Sequence, residues 1–222
     1  SMLQQQLKYY LDWLQKENYK SFSLAFLRIA ISLWLLKEVC INWSGMEILY
    51  GQSAFVVSKS NLINRLPGGF LLVKSHYMWF IVSYIAVIFL NILGIGRWFT
   101  ALLLFSMVHV LQKMNVSFIN GGDLIARLIL LYLVFANSYQ YFVLHKQNQV
   151  DADKRKLENL LSNLAAFSIM LQLCVAYFFT GITKVNDPLW WHGEATYYAF
   201  SMERFIGTPF NKYIIQYKWV NI

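Results

Sequence analysis

A chain of 222 residues in which 58% are hydrophobic, 18% aromatic and only 14% charged lies outside the composition of water-soluble domains, where about a quarter of residues carry charge. Its net charge of +8 does not point to nucleic acid, because the Lys and Arg residues lie mostly between apolar runs and build no basic stripe for a phosphate backbone. Cys40 and Cys174 sit inside apolar stretches, with neither a disulfide framework nor metal-ligand spacing.

The expected fold class is all-α, a polytopic transmembrane helical bundle, since each spanning helix consumes about 20 apolar residues. Leu3, Leu7, Tyr10 and Leu14 recur at helical spacing, with Gln4, Gln5, Lys8, Gln15 and Lys16 on the other face. Residues 1–20 therefore read as an amphipathic interfacial helix, with a polar tether as the equal alternative, and residues 21–222 as the transmembrane domain. The polar opening followed by a long apolar run predicts no cleavable leader. Five spans are predicted, at 22–43, 77–93, 98–112, 124–144 and 160–182. Gly94-Ile95-Gly96-Arg97 makes a tight turn between the second and third, and the charged stretch 145–158 reads as a solvated loop. Residues 211–222 restart an apolar pattern too short to span, which is either interfacial or, as the favoured expectation, leads to a sixth helix after it. No internal repeat supports an inverted-repeat transporter, and acidic groups do not line successive turns as in a channel.

The Lys and Arg bias sets the expected orientation. A cytoplasmic amino terminus places Lys8, Lys16, Lys20, Arg97, Lys146, Lys154, Arg155 and Lys156 inside, against Lys59, Arg65, Lys74 and Lys113 in the outer loops. The location is then the cell membrane, with loop 44–76 and segment 183–208 on the outer face.

An ionisable group inside a bilayer costs about 2.5–3.5 kcal/mol, so each asks for a partner or a purpose. Lys37, Glu38, His109, Asp123, Arg127 and Lys184 fall toward the outer ends of their spans, His192 and Glu194 follow, and Arg28 lies toward the cytoplasmic side. A polar pocket opening outward accounts for that gathering. Each member also has a plain structural reading. Lys184 suits a snorkelling anchor, Asp123 an N-cap after Asn120-Gly121-Gly122, and His109 a hydrogen bond between helices. Arg127, one turn after Asp123, is expected to pair with it. The four histidines lie on different elements, so no metal site is expected.

Residues 177–194 are the least like a generic span. Tyr177, Phe178 and Phe179 lead into Gly181, Lys184, an Asn-Asp-Pro turn, then Trp190, Trp191, His192, Gly193 and Glu194. Trp190 and Trp191 suit an interfacial aromatic belt. Alternatively they wall a pocket, in which a lysine stripped of hydration becomes a candidate base.

The Tyr-Phe-x-x-Gly-x-x-Lys run from Tyr177 to Lys184, with Trp190-Trp191 and Gly193 after it, resembles the signature of the HTTM domain. That transmembrane unit is shared by the vitamin K-dependent gamma-carboxylase and a range of bacterial membrane proteins. Asn115 and Asn120-Gly121-Gly122-Asp123 before an apolar helix are similar to a second stretch of it. The resemblance implies Lys184 as the base that deprotonates a quinol cosubstrate, with His109, Asn120, Asp123, Arg127, Tyr177, Trp190, Trp191, His192 and Glu194 as pocket or orienting residues. Glycine and aspartate stand where the carboxylase has a functional histidine, and nothing supplies its large extramembrane region, so glutamate carboxylation is not implied. In size the chain is closer to the sporulation-delaying protein B type, small HTTM proteins that mature a secreted toxin peptide with a partner protein. What is implied is a bacterial membrane protein that modifies, or helps to mature, an exported peptide together with a small partner. The alternative is a non-catalytic binding subunit of such a complex.

Overall fold

The computed structural model describes residues 2–51, 74–114, 120–144 and 151–201. The expectations for most of the loop 44–76, for Asn115 and for the tail 211–222 lie outside the described residues. The chain divides into two compact units, Ser1–Met170 and Leu171–Ile222, and each is described by itself.

All regular structure among the described residues is helical. In chain order it comprises α1 (Met2–Lys16), α2 (Ser21–Ile41), a 3-10 turn at Trp43–Gly45, α3 (Met46–Tyr50), α4 (Tyr77–Leu93), α5 (Arg97–Met114), α6 (Gly121–Phe135), α7 (Ala152–Val185), α8 (Pro188–Trp191) and α9 (Ala195–Ser201). Of these, α7 is long and apolar enough to cross a membrane, while α4 is apolar but shorter. Helix α2 has the length, at 21 residues, but carries Arg28, Lys37 and Glu38.

In the first unit α2 packs on α4, α4 on α5, α5 on α6 and α6 back on α2, which closes a ring of four helices. Leu35, Val39, Ile81, Ile88, Leu104, Val108 and Leu130 fill its centre. The centre is not wholly apolar. Ser32 is fully buried and Asn91 nearly so, and the Asn91 side-chain amide donates to Ser32 Oγ at 2.9 Å, tying α2 to α4. Ser32 Oγ in turn donates to the Arg28 carbonyl one turn earlier.

The α4–α5 turn forms where the sequence places it. Gly94 ends α4 at φ 71, in the left-handed region that favours glycine. A Cβ there would also stand 2.8 Å from Arg28 Nη1, so both backbone sign and space require glycine.

Three expectations are corrected. The fourth helix does not reach residue 144: it ends at Phe135, and Ala136 is extended. The chain from 136 to 144 is irregular because distant side chains take its backbone groups. Asn18 Nδ2 donates to the Asn137 carbonyl, the Asn137 N–H donates to Ser162 Oγ, and Arg28 Nη2 donates to the carbonyls of Tyr141 and Phe142. The charged stretch 145–158 is not simply a loop, since α7 begins at Ala152 and carries Asp153 to Glu158 in its first turns. Acidic Asp153 suits the helix start, and Lys156 pairs with it at 3.4 Å. The N-cap of α6 is Asn120 rather than Asp123. Asn120 Oδ1 accepts from the Asp123 N–H at 3.0 Å, and Asp123 Oδ2 accepts from the Asn120 N–H at 2.8 Å, a reciprocal capping box.

Helix α1 forms as expected, with none of its residues buried. Its final carbonyls are held by two asparagines one turn apart on α7. Asn159 Nδ2 donates to the carbonyls of Gln15 and Lys16, and Asn163 Nδ2 to those of Leu14 and Glu17. These are the orphan acceptors that any helix leaves at its C-terminus.

Candidate functional site

At the end of the ring formed by the C-termini of α2 and α5 and the N-termini of α4 and α6, the helices do not close completely. A cavity of about 220 Å³ remains, and α3 lies across it. Trp34, Leu35, Val39, Ile81, Val108 and Leu111 form its apolar wall, with Met46 and Leu49 contributed by α3. Its polar lining is Glu38 and Asn42 from the end of α2, Tyr50, Tyr84, Gln112, and Asn120 with Asp123 at the start of α6.

Local structure fixes most of these groups. The capping box holds Asp123 through one oxygen. Gln112 Nε2 donates to the Asp123 carbonyl at 2.9 Å and so ties α5 to α6, which leaves Gln112 Oε1 buried without a hydrogen-bond partner among the described residues. Glu38 meets Lys37 at 3.0 Å, an ion pair whose two side chains are partly in solvent. Asn42 Nδ2 donates to the Glu38 carbonyl and closes the end of α2. Tyr84 is only 4% exposed. Burial, with the Asp123 and then the Glu38 carboxylate adding to it, pushes the Tyr50 phenol up to about 12. Tyr50 therefore lies within the field of both acids.

Of the residues picked out in the sequence, Glu38, Asn120 and Asp123 line this cavity. His109 lies one turn before Gln112 on α5, half-buried, its ring 6.2 Å from that of Phe105, and is not part of the lining. Arg127 is half-buried on α6 and also outside the lining. The expected Asp123–Arg127 pair does not form: the ion pairs among the described residues are Lys37–Glu38 and Lys156–Asp153. Asp123 is turned to the helix start by its bond to the Asn120 N–H, away from a partner one turn on.

The remaining candidates belong to the second unit. Tyr177 is exposed near the end of α7. Lys184 is also exposed, with Nζ 4.2 Å from the centre of the Trp190 ring. A ring face at that distance attracts a cation. Asp187 caps α8, its Oδ1 accepting from the Leu189 N–H at 3.0 Å, with Pro188 at the first helical position. Trp191 Nε1 donates to the Val185 carbonyl, and His192 Nδ1 lies 2.8 Å from the Pro188 carbonyl. Glu194 is exposed after Gly193, whose φ is 71. The Asn-Asp-Pro turn thus fixes Lys184, Trp190, Trp191 and His192 in one local arrangement.

Sequence reading did not pick out Tyr50, Tyr84, Asn42 or Gln112 as pocket residues. A polar Gln112 three residues after His109 at a span end is a usable signal. Tyr84 within an apolar helix carries none that separates it from a core aromatic. Among the described residues no three His, Cys, Asp or Glu side chains gather as metal ligands.

Set against protein-family models, curated proteins and solved structures, the sequence matches none.

Proposed function

We propose that this chain is a multipass membrane protein of HTTM type that helps to mature an exported peptide, holding its ligand in the cavity between α2, α4, α5 and α6. The cavity carries this reading: it has an apolar wall, two carboxylates and a buried amide oxygen without a partner among the described residues, all at one end of the bundle. That end is opposite the one bearing Lys16, Lys20 and Arg97. By the positive-inside bias it faces outward, where an exported peptide would meet it.

The multipass reading is supported by the distribution of side chains around the ring. Phe26, Leu33, Trp79, Phe89, Trp98 and Phe99 are exposed on its outside, whereas Arg28, Ser32, Asn91 and Thr100 are buried within it. Apolar outside and polar inside suits lipid better than water. The 15 residues of α6 cover about 22 Å at 1.5 Å per residue, short of a hydrocarbon core of about 30 Å. The irregular segment 136–144 continues this pass, its backbone satisfied by Arg28, Asn18 and Ser162.

A quinol does not match this cavity. The anion left by removing its proton would face Glu38 and Asp123, and the described lining holds no cation. No step through a quinol is therefore assigned to it. The enzymatic form of the reading, with Lys184 as base, attaches to the second unit and rests on the Tyr177–Lys184 motif and the Lys184–Trp190 contact.

The test is a comparison of exported peptides, by mass spectrometry, from cells with and without the gene. The strain lacking it is complemented with wild type, a cavity-filling Leu111→Trp and Lys184→Arg. Loss of a processed peptide that wild type restores and Leu111→Trp does not is the expected result. If no exported peptide changes in mass or amount, the maturation reading fails. Full restoration by Lys184→Arg, whose guanidinium stays protonated, removes the base and leaves the binding role.

A further inference from the structure

The balance of donors and acceptors in the cavity is lopsided. Asp123 uses one oxygen on the Asn120 N–H, and Glu38 uses one on Lys37, so each keeps an oxygen for a ligand. Gln112 Oε1 is buried and has no hydrogen-bond partner among the described residues. Of these acceptors, Gln112 Oε1 is the buried one without a donor, the second oxygens of Glu38 and Asp123 stand partly in solvent, and the described lining contains neither Lys nor Arg. Tyr84, with 4% of its surface exposed, adds a hydroxyl-bearing ring to the lining. Buried polar groups in folded proteins are ordinarily satisfied, and a cluster left open beside a cavity marks what the cavity is shaped to receive.

We infer that the cavity receives a primary alkylammonium group on an apolar stem, the side chain of a lysine in an exported peptide. This rests on the pocket reading proposed above and names its ligand. An ammonium offers three donors and no acceptor, matching the carboxylate oxygens of Glu38 and Asp123 and the amide oxygen of Gln112. Trp34, Leu35, Val39 and Ile81 accommodate the methylene stem, and the Trp34 ring adds a face suited to a cation. A guanidinium, with five donors, leaves some unpaired. A carboxylate or phosphate is repelled by both acids, and a neutral hydroxyl satisfies one acceptor only. Lys37 does not fill the role itself: its side chain is 55% exposed, and it is outside the described lining.

The test is calorimetric titration of the full chain in lipid nanodiscs with n-octylammonium, n-octanol and n-octanoate at neutral pH. Octylammonium is expected to bind saturably, with octanol and octanoate weaker by about tenfold or more, because hydrogen bonds to charged groups are the stronger ones. Glu38→Gln and Asp123→Asn are each expected to weaken octylammonium by a similar factor. Asp123→Asn disturbs the cap of α6, but Glu38 has no capping bond through its side chain, so Glu38→Gln carries the test if the other variant misfolds. Equal binding of octanol, or unchanged octylammonium binding by Glu38→Gln, overturns the inference. Competition by an acetylated Leu-Lys amide in nanodiscs free of phosphatidylethanolamine assigns the amine to a peptide. Loss of octylammonium binding as phosphatidylethanolamine is added places a lipid amine in the cavity and overturns the peptide assignment. Maturation that persists in Glu38→Gln without any amine binding overturns this inference alone and leaves the maturation reading standing.

Discussion

Arg28 Nη2 lies 2.7 Å from the carbonyl oxygen of Phe142, and Phe142 holds a φ of 54, uncommon for a non-glycine residue. Arg28 is 1% exposed, and its guanidinium lies 4.8 Å from the centre of the Tyr139 ring. Among the described residues no carboxylate pairs with it. A buried cation on α2 therefore holds the chain after α6 in place through backbone carbonyls and an aromatic face.

Arg28→Ala is expected to lower stability by about 1.5–3 kcal/mol, the range for hydrogen bonds to a charged donor. Arg28→Met, which keeps most of the packed stem, is expected to fall between the two. Thermal unfolding in detergent measures the loss, and hydrogen exchange locates it. Amides in 136–144 should exchange faster in both variants while those of α4 and α5 keep their protection. Uniform loss of protection across the ring would show that Arg28 supports the whole bundle rather than this segment.

The attachment of α1 is more local still. Asn159 and Asn163 sit at i and i+4 on α7 and reach four carbonyls between Leu14 and Glu17. The Tyr19 N–H returns a bond to Asn163 Oδ1 at 3.2 Å. Replacing both asparagines with alanine is expected to release α1 without unfolding the ring, since none of its residues is buried. Limited trypsin digestion should then cut at Lys16 and Lys20 at least about tenfold faster, as expected when local opening loses roughly 1.4 kcal/mol or more. An unchanged rate at both lysines would mean that the asparagine bonds do not hold the helix.

Much of this arrangement was legible in the sequence and some was not, for identifiable reasons. The second helix matches the expected 77–93 because an uninterrupted apolar run ends at Gly94, a stop signal local to the chain. The break at Ala136 has no such signal. Tyr139, Tyr141, Phe142, Val143 and Leu144 continue an apolar pattern, and the helix stops because Asn18, Arg28 and Ser162, distant in sequence, engage the backbone there. Asn120 and Asp123 line the cavity through a helix start that is local in the sequence, Asn120 as the cap and Asp123 three residues on. Tyr84, Tyr50 and Gln112 do not stand out, because their place in the lining comes from packing between helices.

The buried Asn91–Ser32 bond offers a measure of what a polar contact inside this ring is worth. Interhelical hydrogen bonds in membrane proteins average about 0.6 kcal/mol and reach roughly 1.7. Ser32→Ala should therefore cost little, because Asn91 loses one acceptor and the volume hardly changes. Asn91→Ala is expected to cost more, about 2 kcal/mol or above, because it also opens a cavity between α2 and α4. Unfolding by denaturant in mixed micelles orders the two. A loss on Ser32→Ala equal to that on Asn91→Ala would place the energy in the hydrogen bond instead of the packing.

Tyr50 gives the cavity a readout that needs no ligand. Burial and then the Asp123 and Glu38 carboxylates raise its phenol to about 12, above the value of about 10 for a free tyrosine. The native state therefore keeps its proton where the unfolded chain has lost it. The resulting stabilisation is fully present below pH 10 or so and is lost as pH rises through the folded value near 12. Tyr50→Phe should show a shallower decline in thermal midpoint than wild type over that interval. Asp123→Asn removes one of the two repelling charges, so tyrosinate absorbance from Tyr50 should appear at lower pH. Subtracting the Tyr50→Phe titration isolates that signal. A Tyr50 titration indifferent to both Asp123→Asn and Glu38→Gln would mean that the phenol does not share the cavity's field, and the cluster of acids around it would have to be redrawn.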